Sequence, residues 1–598
     1  MDRLAYNAPM KTITRRNTTS DGERFHKLDG PVRSPWDTSV ALCGFAAVFT
    51  LVAVSFASSG NTAVRIGGAP AESPIRFASR PIDFRLDTSE TLERHEPEAM
   101  GGGVAVFDYD NDGRLDIFFA NGADIRNLKK DAPKYWNRLF RNEGNGRFTD
   151  VTEQAGLKGI GFDVGVAIAD YDNDGNEDIF LSGVYRNTLY HNNGDGTFTD
   201  VTANAGLDKK DPEYGPLWSV GAVWVDVNND GLLDLIVINY LKWDGKNEAY
   251  CELNSHRAYC HPGKYKATPN QLFLNNGDGT FRDASVEWGL RGHPGKGMAG
   301  VIASTNLDGK MDLFVTNDKL LNYFFRDKSG KFEEVGFDAN VALREDGAFI
   351  SGMGADFRDL DNDGYPDICL VALANETFPI YRNTGKGTFE DVTEKSGMAK
   401  LSMPMAGFSA MIADFDNDGW KDIFVSRGDV QSATSVPSGS ANQPNTVFRN
   451  LGGMKFAALT DEAGFASRPP ARHRGSAFGD LSGGGRLDVV VSGIDAPGEI
   501  WINESPGHNH WLEIKLQGTK SNRDGIGAMV KAVTKSGAQY NHMTTSAGYA
   551  SSSAGPVHFG LGSSASADLV EIHWPSGIVQ QIRDAAADRV IVVKEPEK

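Results

Sequence analysis

One unit recurs along about four hundred residues of this chain, and that recurrence decides what the chain can fold into. It reads FDYDNDGRLDIFFANG at Phe107–Gly122. It returns from Asp170, Asp226, Asp359 and Asp414, and in worn form from Ser304 and Asp480, at intervals of about 55–78 residues. Each unit has a second half, such as RNEGNGRFTDVTEQAGL from Arg141 and NNGDGTFTDVTANAGL from Asn192, with later copies from Asn275 and Arg382. An Asn/Gly turn between alternating apolar residues is a hairpin signal. A unit therefore holds four short strands. The first ends at the leading Asp, the second follows the loop, and the third and fourth flank the Gly-rich turn. Four strands per unit, seven times over, predict an all-β fold, a seven-bladed β-propeller. A helical solenoid would carry a 3.6-residue period, which these units lack. The segment Ile82–Leu86 offers a closing strand to the last blade.

The loop between strands one and two has a chemical reason for its residues. In Asp108, Asp110, Asp112 and Asp116, positions 1, 3, 5 and 9 carry carboxylates, and Gly113 at position 6 permits the sharp turn. The backbone carbonyl of position 7, Arg114, faces the same centre. A ligand set made only of oxygen suits Ca²⁺. Without a cation, four carboxylates so close would repel one another. Position 12 holds Phe119 where an EF-hand has Glu, and an apolar β-rich run follows rather than a helix. Four further copies are complete. They are Asp170, Asp172, Asp174 and Asp178 with Asn176; Asp226, Asn228, Asp230 and Asp234 with Leu232; Asp359, Asp361, Asp363 and Asp367 with Tyr365; and Asp414, Asp416, Asp418 and Asp422 with Trp420. The expectation is about five Ca²⁺ sites of structural type. The copies at Ser304–Asp312 and Asp480–Asp488 are expected to bind weakly or not at all.

Acidic residues outnumber basic ones by 79 to 60, for a net charge of −19. That excludes the basic face of a nucleic-acid binder, and five divalent ions would offset about half of it. With 40% hydrophobic and 23% charged residues the chain can bury a core. The repeat resembles the FG-GAP/VCBS calcium-loop propellers of integrin α chains. The linked ending FTDVTxxAGL resembles the cartilage acidic protein family. After Asn503 the aspartate loops stop. HWLEIKL, SNRDGIGAMVKAV, SAGYASSS, VHFGLG and LVEIHWPSGIVQQI then build a small all-β module that resembles the ASPIC/UnbV domain, a name without a mechanism. The QYNHMTT stretch lacks the Arg expected before the Gly-Tyr turn. His508, His510, His542, His558 and His573 read as half-buried strand residues rather than a metal cluster.

The organisation expected is a leader over 1–60, a linker with the possible closing strand over 61–92, the propeller over 93–505 and the ASPIC/UnbV-like domain over 506–598. Within the leader, Val40–Ala57 is almost wholly apolar behind seven basic residues. A cleaved secretory signal and an uncleaved transmembrane anchor both fit, and both place the rest outside the cytoplasm. Cys251 and Cys260, in the long insert of the third unit, are expected to form a disulfide there. Cys369 reads as a small buried hydrophobe.

No nucleophile elbow, phosphate loop, zinc helix or dinucleotide fingerprint occurs. The expected function is an extracytoplasmic module that binds a protein or a glycan. The face opposite the calcium loops carries the long connections Asp124–Asn137, Tyr240–Asn270 and Asp429–Asn445. Their Lys129, Lys130, Tyr135, Trp136, Trp243 and Tyr259 suit such a ligand. The alternative is a calcium-dependent lyase or hydrolase acting on carbohydrate.

Overall fold

A computed structural model describes residues 73–597 apart from 329, so the apolar segment 40–57 lies outside the described residues. Among the described residues no helix is long and apolar enough to cross a membrane. The repeat folds into seven antiparallel sheets, each built on four strands in the sequence-expected order. In sheet one, Val104–Phe107, Asp116–Phe119, Arg138–Asn142 and Phe148–Asp150 follow one another. Phe107 pairs with Asp116, so the aspartate loop is the turn between strands one and two. The first two strands are buried along their whole length, as continuous apolar runs such as VAVF and DIFF require.

The FTDVT motif ends strand four. Asp150 Oδ1 accepts from the Thr152 backbone N–H (2.9 Å), and Thr152 Oγ1 accepts from Leu139 N–H on strand three (2.9 Å). The same pair recurs with Asp200 and Thr202, Asp283 and Ser285, and Asp391 and Thr393. The hydroxyl satisfies a strand N–H that the short fourth strand does not reach.

Sheet seven takes its outer strand from the start of the described residues. Phe77–Arg85 pairs antiparallel with Pro497–Asn503, with Phe77 opposite Asn503. The strand thus begins five residues before Ile82. Pro81 lacks a backbone donor, which suits an outer edge. Phe77 buries its ring against Phe415 and Phe465. The first strands of successive sheets touch one another in turn, and that of sheet seven, Arg472–Gly479, touches that of sheet one. Gly165 allows this approach: a Cβ there would lie 2.2 Å from Val220 O on the next sheet.

After Asn503 the chain forms two more sheets. His510–Gln517 lies between Val557–Gly562 and, in parallel, Arg589–Lys594. Met529–Thr534 lies between Gly537–His542 and Ser566–His573, with Val579–Ala586 outermost. The segment SAGYASSS belongs to neither sheet. Ser551–Ser553 pairs in parallel with Ala105 and Val106 of sheet one, and Ser546–Ala547 completes a hairpin. This hairpin contacts the first strands of sheets one, two, three, four, five and seven, so it lies where those strands converge. The hydroxyls of Ser551, Ser552 and Ser553 accept from Val104, Ile168 and Phe478 N–H, at 3.1, 3.1 and 3.0 Å. Buried first strands have a free edge, and these serines satisfy it. Tyr549 at the tip is fully buried, and its hydroxyl donates to Met100 O (2.6 Å).

Candidate metal centres

Each aspartate loop is held by its own backbone before any ion is considered. The position-1 carboxylate accepts from the Gly N–H of position 6, at 3.1 Å for Asp108, 2.7 Å for Asp170, 2.8 Å for Asp226, 2.9 Å for Asp359 and 2.8 Å for Asp414. The position-5 carboxylate accepts from the N–H of position 7, namely Arg114, Asn176, Leu232, Tyr365 and Trp420. The position-9 aspartate opens strand two and is buried in every copy. Asp116 accepts there from Tyr109 N–H (3.1 Å) and Asn142 N–H (2.7 Å). These bonds fix which way the carboxylates point.

Carboxylate oxygens of Asp108, Asp110 and Asp116 lie within 4.8 Å of one another, as do those of Asp170, Asp172 and Asp174, of Asp359, Asp361 and Asp367, and of Asp414, Asp416 and Asp422. The third loop keeps the same internal bonds around Asp226, Asn228 and Asp230. Buried Oδ1 atoms of Asp108, Asp110 and Asp359 have no hydrogen-bond partner. Burial, reinforced by neighbouring aspartates, pushes the carboxyls of Asp116, Asp170 and Asp234 up to about 8. It pushes Asp367, Asp414 and Asp422 well above the usual carboxylate range. Converging, mutually repelling oxygens, some of them without a partner, are the donor set a hard divalent cation fits. The two worn loops keep the turn but lose donors. Ser304 Oγ replaces the first carboxylate in accepting from Gly309 N–H (3.1 Å), and Asp480 accepts from Gly485 N–H (2.6 Å).

Two sets of asparagines, unremarked in the sequence, tie the loops into a layer. The position-4 residues Asn111, Asn173, Asn229, Asn362 and Asn417 adopt left-handed φ near 56–61°, which Asn tolerates. Four of them donate from Nδ2 to the position-6 carbonyl of the next loop, on Gly175, Gly231, Gly419 and Gly485. On strand three, Asn142, Asn192, Asn275, Asn383, Asn450 and Asn503 each donate from Nδ2 to their own loop and to the preceding one. The bond from Asn142 to Leu481 O (2.9 Å) joins sheet one to sheet seven. Sheet four has Asp327 at this position, and the belt is interrupted there. The internal recurrence of Asn at both positions was the available signal. Asn450→Ala would leave the buried carbonyls of Leu360 and Lys421 without their donor, an expected loss of about 2–3 kcal/mol. Urea unfolding measures it, and a change below about 0.5 kcal/mol would refute the belt as a stabilising device.

Residues 108–181, 170–237, 305–370 and 359–425 match the FG-GAP-like repeat, and 518–598 match the ASPIC and UnbV family. The chain is an FG-GAP repeat protein with a C-terminal ASPIC and UnbV domain. It is similar to cartilage acidic protein 1 of Homo sapiens, 27% identical over 501 residues, which cover 80% of this chain and 70% of that one. Integrin alpha-4 of Xenopus laevis is 25% identical over 159 residues, 25% of this chain and 15% of that one. A solved Agrocybe aegerita lectin that recognises non-reducing terminal N-acetylglucosamine overlays with a TM-score of 0.38 at 17% identity, over 66% of this chain and 86% of that one.

The ASPIC and UnbV domain packs on the aspartate loops of the FG-GAP repeats. Asp524 Oδ2 accepts from Asp170 N–H (2.9 Å), and Asn173 Oδ1 accepts from Arg523 N–H (2.7 Å). Asn509 Nδ2 donates to Asp416 O (2.9 Å), Gly562 N–H donates to Asn417 O (2.9 Å), and Lys515 Nζ lies 3.5 Å from Asp108. His542 and His558 are fully rather than half buried, with rings beside Ile302 O (3.1 Å) and Gly485 O (3.3 Å). Burial lowers the His558 imidazole to about 4. Both therefore serve this packing.

The opposite side of the FG-GAP sheets carries the long connections, and most of their singled-out residues are structural. Tyr135, Trp243 and Tyr259 are buried. Lys130 Nζ donates to the carbonyls of Gly122 and Tyr135 at 2.7 and 2.9 Å. These four are corrected from ligand-contact residues to loop anchors: a long connection needs its own small core to hold shape. Cys251 and Cys260 are joined by a disulfide in the same insert. Trp136 stays half exposed under Lys158 (4.0 Å), and Tyr250 is 73% exposed beneath Arg257 (4.7 Å). Beside the disulfide is a cleft of about 600 Å³ reached by Glu96, Tyr240, Asp318 and Lys319. Tyr240 donates to Asp318 (2.7 Å), and Glu96 accepts from Cys260 N–H (2.5 Å). Burial pushes the Glu96 carboxyl up to about 8 and that of Asp318 to about 6.

Proposed function

We propose that the seven sheets form a seven-bladed β-propeller that acts outside the cytoplasm as an adhesion module, binding a protein or a glycan. Five Ca²⁺ ions sit in the complete aspartate loops, each held by positions 1, 3, 5 and 9 and the carbonyl of position 7, and they stabilise rather than bind ligand. The observation that carries this reading is the place of the ASPIC and UnbV domain. It lies on the loop side, so the ions belong to a covered layer and the insert side remains for a partner. The likeness to cartilage acidic protein 1 and to an integrin supports an adhesion role. The disulfide supports an oxidising compartment, reached by secretion or by an anchored N-terminus.

On the insert side, half-exposed Trp136 and exposed Tyr250 are aromatics that an interface would use as anchors. Screening the protein against glycan arrays and matrix proteins should yield a saturable ligand. The Trp136→Ala/Tyr250→Ala double variant should weaken it about tenfold or more at unchanged melting temperature. No saturable ligand, or unchanged affinity in the variant, removes this assignment. A second reading, carbohydrate cleavage, is favoured by Glu96 and Asp318, two acids at one cleft whose carboxyls burial raises. Calcium-dependent release of sugar ends in the same screen, abolished by Glu96→Gln, would replace binding with catalysis.

A further inference from the structure

Among the complete aspartate loops, only the second has a histidine near the end of strand three. The penultimate residue of strand three faces the carboxylates. In sheets five and six it is an arginine. Arg382 lies 2.5 and 2.6 Å from Asp361 and Asp363, and Arg449 lies 2.7 and 2.8 Å from Asp416 and Asp418. A guanidinium has donors only and cannot ligate a metal. In sheet two the same place holds His191.

His191 Nδ1 lies 3.3 Å from Asp172 Oδ2 and 3.3 Å from Asp178 Oδ1. All three ligand atoms fall within 4.8 Å of one another. The Nδ1 atom is buried and faces these two carboxylates, with no hydrogen bond to any other group. Asp178 is fixed from behind by Asn192 N–H (2.8 Å) and Tyr171 N–H (3.2 Å), the outer support that metal carboxylates commonly have. The His191 ring meets Tyr171 at 6.3 Å.

Calcium selects oxygen, whereas imidazole nitrogen suits zinc and its first-row neighbours. Zinc bonds of about 2.0–2.2 Å in tetrahedral array place ligand atoms roughly 3.4 Å apart. The two spacings from His191 to the aspartates, 3.3 Å each, match that, with Asp172 at the exposed rim for a water to complete the shell. We propose that His191, Asp172 and Asp178 form a site for a borderline first-row divalent ion, Zn²⁺ foremost, unlike the oxygen-only loops of the other sheets. Zinc here would displace calcium from this loop alone, because the two ions share Asp172 and Asp178. The inference rests on sheet two and does not require calcium in the remaining loops.

The test uses the full chain, stripped with chelator and then equilibrated with micromolar ZnCl₂ in millimolar calcium. Metal content by mass spectrometry should give one zinc per chain. Co²⁺ in its place should give a visible ligand-field band. His191→Gln should weaken zinc binding more than tenfold and abolish the band. His191→Arg, which restores the residue of sheets five and six, should do the same while melting normally. His508→Gln, at an exposed histidine, should change neither readout. No stoichiometric zinc at micromolar concentration would overturn the proposal. So would zinc and the cobalt band surviving in both His191 variants.

Discussion

Adding calcium to the chelated protein is expected to raise its melting temperature by on the order of 10 °C. Extracellular modules bind Ca²⁺ with constants of about 10⁻⁴–10⁻³ M. At about 10 mM calcium each such site stabilises by about 1.4–2.7 kcal/mol, or about 7–14 kcal/mol over five. A chain this large unfolds with a large entropy, so each kcal/mol moves the midpoint by about 1 °C. The chelated protein should also depend on pH. Asp116, Asp170 and Asp234 have folded carboxyl pKa values of about 8 without a cation, against about 4 when unfolded. The folded state then holds extra protons. Its stability is greatest below about pH 4 on this account and falls as pH rises towards 8. A bound cation keeps those carboxylates ionised and should flatten the dependence. Melting curves at pH 5.5, 7 and 8, with chelator and with calcium, test both. Superimposable curves at every pH would remove calcium from the loops.

Tyr549→Ala should destabilise the protein by about 3–5 kcal/mol, as large buried aromatics do when cut to alanine. Its ring stands edge-on to Phe408 at 5.2 Å, and the Arg474 guanidinium lies 3.8 Å over that Phe408 ring. Its backbone N–H donates to Ser409 Oγ (3.0 Å), and the neighbouring Ala550 O accepts from Val166 N–H (3.0 Å). One side chain from the C-terminal domain therefore fills the space where several first strands meet. Tyr549→Phe keeps the ring and removes only the bond to Met100 O, so about 1 kcal/mol is expected. The two variants separate filling from hydrogen bonding in equilibrium urea unfolding. If Tyr549→Ala costs less than about 1 kcal/mol, the hairpin is a bystander to the fold.

Local chemistry made much of this protein legible in one dimension. An Asp-rich loop beside an apolar strand turns sharply at its Gly, so the place of the position-1, -3, -5 and -9 aspartates in that turn is readable from spacing. The Asn/Gly turn and the FTDVT ending likewise act over a few residues. Trp243 and Tyr259 misled because an aromatic in a long connection has the same sequence signature whether it greets a partner or anchors its own loop. Asn450 and its counterparts carry no local signature because their bonds run to another repeat. His191 took its meaning only from a comparison across sheets.

The sequence by itself determined the repeat, the four strands of each unit and the aspartate loops. Those follow from residue periodicity and from the backbone demands of Gly and Asn, both local. The tertiary structure alone decided that SAGYASSS leaves its own module to satisfy the free N–H groups of distant first strands. It also decided that the ASPIC and UnbV domain covers the loop side. Such pairings join residues hundreds of positions apart, and they arise because buried donors and apolar faces must be matched in space, a condition that no local pattern records.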